Sequence, residues 1–213
     1  RYAAAQESSR TGMPLMRALV LLHPLDQESR ESVDEYYFGP DLLVAPVLSA
    51  ATQRSIHLPE GEWWNYWNGK HYTGPVNIVE DAPLDRIPLY VKSGAILPKI
   101  PEDVMTLASV KADAASPIKG LDDRRVYEIY PEANSGQARD VQDFENRHLT
   151  LKTSHGTSTL KITGPAAAIT LVWRFQQPKQ VMLNGHLLTM HPGDASTSVE
   201  FAHTANSELS WQQ

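Results

Sequence analysis

The spacing of hydrophobic positions in this chain changes near residue 36, and the predicted structure changes there from helix to strand. Residues 2–9 are rich in good helix formers, and the glycine at residue 12 suits the left-handed position that ends a helix. Residues 15–22 are apolar apart from Arg17, which allows either a short helix or a buried strand. From residue 36 onward, short apolar runs alternate with turns that contain glycine and proline, a pattern typical of β-sandwich domains.

Three short segments show the strand pattern in detail. Residues 42–48 are continuously apolar, as expected for a strand that is buried on both faces. The aromatic segment 62–67 is followed by Asn68-Gly69, a strong signal for a tight hairpin, and Asn184-Gly185 gives the same signal near the C-terminus. The sequence therefore predicts a mainly β protein built from two successive regions of antiparallel strands.

Composition excludes several classes of function. The formal net charge is -6, and no run of Lys and Arg is interleaved with aromatic residues, so nucleic acid is not an expected partner. Cysteine is absent, which rules out disulfides and cysteine-based metal sites. No apolar run approaches the ~20 residues of a membrane helix, so no membrane partner is expected.

The first residues bear on how the chain is delimited. The chain begins Arg-Tyr-Ala-Ala-Ala without an initiator methionine, which predicts that the native N-terminus lies upstream. The missing targeting signal is then uninformative, and cytoplasmic and periplasmic or secreted locations both stay open.

Four motifs, in a fixed order, carry a family resemblance. They are GMPLMRAL at residues 12–19, FGPDLLVAPV at 38–47, LPEGEWWNYWNG at 58–69 and IPLYVKSGAILP at 87–98. Together they resemble the C-terminal portion of a family 31 glycoside hydrolase of the α-glucosidase or α-xylosidase type. A looser match, Ile129-Tyr130-Pro131, resembles a tract of that family's second sandwich.

The resemblance implies a domain organisation. Residues 1–35 would be the helical tail and loop that end a (β/α)8 catalytic barrel, and residues 36–105 would be a proximal β-sandwich. Residues 106–213 would be a distal β-sandwich, with the join inside the proline-containing and glycine-containing segment 104–124. A complete barrel needs ~250 residues, so this chain of 213 cannot hold one together with the β regions.

The resemblance also implies the chemistry of the parent enzyme. Family 31 enzymes hydrolyse α-glycosides with retention, using two aspartates that lie ~5–5.5 Å apart on the barrel. The aspartates of this chain lie outside such barrel motifs, so no catalytic residue is carried over. No cofactor or metal is implied. The implied partners are the catalytic barrel of the same polypeptide and, through the parent enzyme, an oligosaccharide substrate.

The aromatic segment allows two interpretations. Trp64 and Trp67 are the candidate substrate-binding residues, because aromatic faces suit the C–H faces of sugars. In the favoured alternative, alternate side chains fill a sandwich core and the others pack against the barrel. Strand alternation then puts Trp63 and Asn65 on one face, with Trp64 and Tyr66 on the other. A non-catalytic carbohydrate-binding module that uses this strand is the main rival to the scaffold interpretation.

Charged residues have structural and functional interpretations too. Arg17, in its apolar setting, predicts an ion pair with a carboxylate rather than contact with substrate. Asp41, after Gly39-Pro40, is expected to accept backbone hydrogen bonds at a turn. The acidic residues allow two interpretations, a calcium-binding loop, since oxygen ligands suit that ion, and a solvated surface, which the spacing favours. These residues are Asp122, Asp123, Glu132, Asp140, Asp143 and Glu145. An apolar face built from residues 15, 19, 22 and 36–38 is expected to meet the barrel.

Overall fold

A computed structural model of the protein describes residues 2–101, 124–132, 138–143 and 146–212. The chain forms two compact units, the first ending at Ala95 and the second beginning at Ile96. Strands dominate both, which confirms the mainly β prediction. The helices are α1 (Tyr2–Thr11), a 3₁₀ turn (Leu19–Leu21) and α2 (Gln27–Glu31). Among the described residues, no helix combines the length and apolarity needed to cross a membrane.

The first unit contains a six-stranded sheet in the order β1-β2-β3-β6-β4-β5, with every neighbouring pair antiparallel. Its strands are β1 (Met16–Ala18), β2 (Tyr36–Phe38), β3 (Leu42–Val44), β4 (Gln53–Asn65), β5 (His71–Asp81) and β6 (Leu89–Lys92). The register of β4 on β5 shifts between Leu58 and Gly61. Such a bulge bends the strand and increases its twist.

Residues 15–22 combine both structures that the sequence allowed, since β1 is followed directly by the 3₁₀ turn. The apolar face predicted for this region is wrong in part. Leu19 and Tyr37 are fully buried and pack in the core of the first unit with Ile56 and Trp63. The large apolar side chains that are exposed in this region are Met16, Leu21, Leu25 and Val33.

The run 42–48 forms a shorter strand than predicted. β3 ends at Val44, two residues before Pro46. Proline has no backbone N–H and cannot continue a ladder of hydrogen bonds. An apolar run is therefore not by itself a measure of strand length.

The second unit contains two sheets, in the orders β14-β13-β17-β11-β10-β9 and β15-β16-β12-β8-β7. Their strands are β7 (Ile96–Lys99), β8 (Arg124–Ile129), β9 (Ala138–Gln142), β10 (His148–Ser154), β11 (Thr157–Thr163), β12 (Ala167–Arg174), β13 (Val181–Leu183), β14 (His186–Leu187), β15 (His191–Pro192), β16 (Ser196–His203) and β17 (Asn206–Gln212). The expectation of purely antiparallel pairing is wrong at one place, because β8 and β12 run parallel.

Alternate residues of both sheets build one core in the second unit. Ile169, Leu171 and Trp173 project from one sheet, and Leu209 and Trp211 from the other. The rings of Trp173 and Trp211 meet edge to face at 5.1 Å between centroids. Two sheets that share one apolar core are consistent with a β-sandwich.

The hairpin signals have different outcomes. Asn184 and Gly185 both have positive φ, 49° and 83°, and join β13 to β14 as a two-residue turn, as predicted. Asn68 and Gly69 lie instead within a longer connection between β4 and β5, residues 66–70.

The predicted domain join, inside residues 104–124, falls almost wholly outside the described residues, whereas the two compact units divide between Ala95 and Ile96. The boundary predicted after residue 105 lies in the segment 102–123. On either side of that segment, β7 pairs with β8 in the second unit.

Candidate functional site

Trp63 is a core residue. Its side chain is fully buried, its Nε1 donates a hydrogen bond of 2.8 Å to the carbonyl of Pro59, and its ring lies 5.9 Å from that of Tyr37. Asn65, two residues along β4, is buried too. The alternation predicted for the aromatic strand is therefore confirmed on its inner face.

Trp64 lies on the opposite face of β4 and is half-buried. Its Nε1 donates a hydrogen bond of 2.9 Å to Oγ of Ser93, and its ring lies 4.5 Å from that of His71, its cross-strand neighbour. These contacts hold the Trp64 ring against Ser93 and His71.

Trp67 is the most exposed of the four aromatic side chains, with 41% of its surface accessible. It is held in place, since Nε1 donates a hydrogen bond of 2.7 Å to the carbonyl of Ile87 and the ring packs edge to face on Tyr66. The guanidinium of Arg86 lies 5.6 Å from the ring centroid. A role for Trp64 and Trp67 in substrate binding stays a prediction, and the geometry favours Trp67.

Arg17 is buried and paired, as predicted. Its guanidinium lies 2.6 Å from a carboxylate oxygen of Glu7, on α1, and its Nε donates to the carbonyl of Pro14 at 2.8 Å. The pair ties β1 to the helix that precedes it. Because a buried charge is costly without a partner, this contact accounts for an arginine in an apolar segment.

The candidate calcium ligands lie in several environments. Asp143 is buried rather than solvated, and it forms an ion pair with Arg147 and accepts a hydrogen bond of 2.8 Å from the Tyr127 hydroxyl. Asp140 accepts from Thr150 at 2.6 Å, and Asp122, Asp123 and Glu145 lie outside the described residues. Asp41 lies between β2 and β3, where its carbonyl accepts a hydrogen bond from the backbone N–H of Lys92. In the described ranges, no group of three or more His, Asp or Glu side chains is placed to hold a metal.

A polar groove that no sequence pattern predicted lies between α2 and the sheet. It is open to solvent, has a volume of about 690 Å³, and is lined by Asp26, Gln27, Glu28, Glu31, Ser32, Asp34, Glu35, Ser55, His57 and Asn77. His57 is the central side chain, on β4, and is largely buried. Five of the lining residues are acidic, and two of them, Asp34 and Glu35, are paired with Arg54.

Both ring nitrogens of His57 face hydrogen-bond acceptors. Nε2 lies 2.6 Å from Oδ2 of Asp26, and Nδ1 lies 2.8 Å from Oδ1 of Asn77 and 3.1 Å from a carboxylate oxygen of Glu28. Burial opposes protonation, but the hydrogen bonds to Asp26 and Asn77 and the nearby carboxylate charges outweigh it and raise the pKa of His57. Burial also opposes ionisation of Asp26, yet its hydrogen bonds with Ser29 and His57 hold the pKa of this carboxyl below its ordinary value.

A second charge cluster adjoins the first. Glu35 is buried and accepts the backbone N–H of His57 at 3.1 Å, while the guanidinium of Arg54 lies 3.7 Å from the same carboxylate oxygen and 2.9 Å from Asp34. Burial raises the pKa of Glu35, against the opposing effects of that hydrogen bond and of Arg54. The acidic residues within 26–35 are visible in the sequence as possible site residues. Their partner His57 is not, because it lies 31 residues from Asp26 along the chain.

Residues 12–97 match the sequence profile of the glycosyl hydrolase family 31 C-terminal domain. Over 98 residues, or 46% of the chain, the sequence is 41% identical to an isomaltosyltransferase of Sporosarcina globispora. Over 138 residues, or 64% of the chain, it is 30% identical to an alpha-glucosidase 2 of Bacillus thermoamyloliquefaciens. The aligned parts amount to 9% and 16% of those proteins, so the chain spans a small fraction of their length.

Solved structures are similar over nearly the whole chain. A GH31 dextranase of Flavobacterium johnsoniae, in complex with glucose, superposes with a TM-score of 0.81 and 25% identity, covering 100% of this chain and 30% of that one. A cycloalternan-forming enzyme of Listeria monocytogenes, in complex with a pentasaccharide substrate, gives 0.80 and 25%, covering 98% and 21%. The likeness therefore extends beyond the residues matched by the family profile and includes the second unit.

Proposed function

We propose, from the premise that residues 12–97 form a glycosyl hydrolase family 31 C-terminal domain, that this chain is the non-catalytic scaffold of a retaining α-glycoside hydrolase. Its β units support the catalytic barrel of the same polypeptide and keep the active-site loops in place. The reacting carboxylates belong to that barrel. Helix α1 is the end of the barrel, and the two β regions are the proximal and distal sandwiches.

One observation carries the proposal. The matched residues 12–97 contain all six strands of the sheet in the first unit, from β1 to β6. The match therefore covers a complete structural layer rather than an isolated motif. Structural neighbours from the same family extend the likeness to the second unit.

Exposed apolar side chains supply a contact surface for the barrel. Leu25 and Val33 are 94% and 95% exposed. Met16 is 57% exposed and Leu21 is 50% exposed. Large apolar groups in water are unfavourable, and where they gather they mark interaction sites. In the proposed assembly, this region of the first unit packs against the barrel.

The test uses the parent polypeptide and the 213-residue chain. In the parent, Leu25→Asp and Val33→Asp are expected to reduce the aryl α-glycosidase activity that survives heating, because each places a charge in the proposed interface. Leu187→Asp, at an exposed apolar position of the second unit, is the matched control. The 213-residue chain alone is expected to release no aryl group.

Two outcomes would contradict the scaffold role. One is hydrolysis by the 213-residue chain alone at a rate proportional to its concentration. The other is equal heat inactivation of the parent and all three variants. That result would show that Leu25 and Val33 do not lie in an interface with the barrel.

A second candidate function rests on Trp67, because its ring is exposed and rigidly held. In this alternative, the chain is a carbohydrate-binding module that holds glycan without cleaving it. Titration with malto-oligosaccharides and isomalto-oligosaccharides separates the two functions. Binding that is lost in Trp67→Ala and kept in Trp64→Ala favours the module, and no heat of binding favours the scaffold.

A further inference from the structure

Segment 26–35 is joined to the sheet by His57. Asp26 lies at the N-terminal end of α2, and His57 reaches it from β4. Asn77, directly opposite His57 on β5, holds the other side of the ring. The imidazole therefore bridges a short helix and two strands.

We propose that His57 is a proton-operated clasp, which fastens α2 to strands β4 and β5 and releases the helix when the imidazolium loses its proton. The device is separate from the scaffold role, since it concerns the first unit by itself.

Hydrogen-bond chemistry makes the clasp depend on the proton. An imidazolium donates from both nitrogens, whereas a neutral imidazole has a single N–H. Nε2 faces the Asp26 carboxylate, and Nδ1 faces Oδ1 of Asn77. If the Asn77 amide rotated, its NH₂ group could donate a hydrogen bond to an unprotonated Nδ1 of His57. The Glu28 carboxylate, 3.1 Å from Nδ1, would then face the lone pair of that nitrogen, which is unfavourable.

The charges around His57 also favour attachment of α2 when the imidazole is protonated. Asp26, just before α2, and Glu28, on α2, face the ring, and Glu31 of the same helix lines the groove. Asp34 and Glu35 lie on the connection to β2, and Arg54 lies on β4. Protonated His57 gives this group two cations. After deprotonation, Arg54 alone opposes the carboxylates, and repulsion between α2 and the sheet increases.

Two further groups, His23 and Ser29, also bear on the charge around the ring. His23, after the 3₁₀ turn, also senses the charge of His57, and burial lowers the pKa of His23. Because its lowered pKa disfavours the protonated form, His23 is not expected to gain a proton as His57 loses one. Ser29 donates to Oδ2 of Asp26 at 2.6 Å and keeps that carboxylate aimed at the sheet.

Amide hydrogen exchange of the 213-residue chain tests the clasp. The amides of Arg30 and Ser32 donate within α2, to the carbonyls of Asp26 and Glu28. Their protection, corrected for the intrinsic effect of pH, is expected to fall from about pH 6 to about pH 9, by about tenfold for each unit of upward shift in the His57 pKa. An NMR titration of the His57 ring is expected to give the same midpoint.

Three variants separate a proton-operated clasp from a merely structural contact. His57→Gln is expected to show low protection of Arg30 and Ser32 at every pH. His71→Gln removes an exposed histidine that pairs with Glu62 outside the groove, and is expected to behave as wild type. Glu28→Gln, at a half-exposed side chain that tolerates the change, is expected to move the midpoint to lower pH.

The clasp is overturned by protection that stays flat over this range in the wild type, or by wild-type protection in His57→Gln. If His57→Gln does not fold, Glu28→Gln decides the question. A purely structural contact would leave the pH midpoint of the amide protection of Arg30 and Ser32 unchanged in this variant.

Discussion

The backbone N–H of Arg147 donates a hydrogen bond of 3.0 Å to Oδ1 of Asp143, and the side chains of the same two residues form an ion pair in the interior of the second unit. Arg125 lies 3.7 Å from the same carboxylate, and the Tyr127 hydroxyl donates to it. The cluster ties Asp143, just after β9, and Arg147, just before β10, to β8. A charge that is this deeply buried depends on its partners.

Arg147→Met is expected to destabilise the second unit by about 3–5 kcal/mol, because it leaves the Asp143 carboxylate buried without its main partner. Urea unfolding of the 213-residue chain measures the change. Lys161→Met, which breaks the exposed pair with Glu208, is the control and is expected to cost at most about 1 kcal/mol. Equal effects of the two substitutions would show that burial does not decide the strength of the Asp143 pair.

Trp63→Ala is expected to destabilise the first unit by about 3–5 kcal/mol, since it removes a fully buried ring and leaves a cavity in the core. Trp67→Ala, at an exposed ring, is expected to cost about 1 kcal/mol or less. Denaturant unfolding of both variants provides the comparison. A larger loss in Trp67→Ala would contradict the placement of these two side chains.

The stability of the first unit is expected to fall as pH rises through the pKa of His57. Folding raises this pKa above 6.5, so the folded state binds the proton more tightly than the unfolded state. The stabilisation is complete at pH values below the pKa of His57 in the unfolded state. It is lost as the pH rises through the pKa of His57 in the folded state. Exchange of the slowest amides of β4 and β5 measures it, and His57→Gln is expected to flatten the dependence while His71→Gln leaves it intact.

The second unit is expected to respond to pH in the opposite direction. Burial lowers the pKa of His203, which donates to or accepts from Ser207 at 2.8 Å, so the unfolded state binds the proton more tightly. Stability is then lost as pH falls from about 6.5 through the folded pKa. The slowest amides of β11 and β17 report on this unit. A His203→Gln variant that keeps the wild-type loss of protection on acidification would contradict the assignment.

Local patterns predicted the elements whose cause is local. Asn184-Gly185 forms a two-residue hairpin because both residues adopt positive φ, and Trp63 and Trp64 face opposite sides because strand side chains alternate. The aromatic content of β4 did not reveal how much of each ring is exposed. Exposure depends on partners such as Ser93 and Ile87, which hold the Trp64 and Trp67 nitrogens from elsewhere in the chain.

By itself the sequence determined that the chain is mainly β, where several turns lie and which family its motifs resemble, because side-chain periodicity and turn chemistry act over a few residues. The tertiary structure alone decided the parallel pairing of β8 with β12, the burial of Asp143 and the meeting of Asp26 with His57. These relationships depend on which distant segments pack together. That choice is made by the free energy of the whole core and not by the residues on either side of each position.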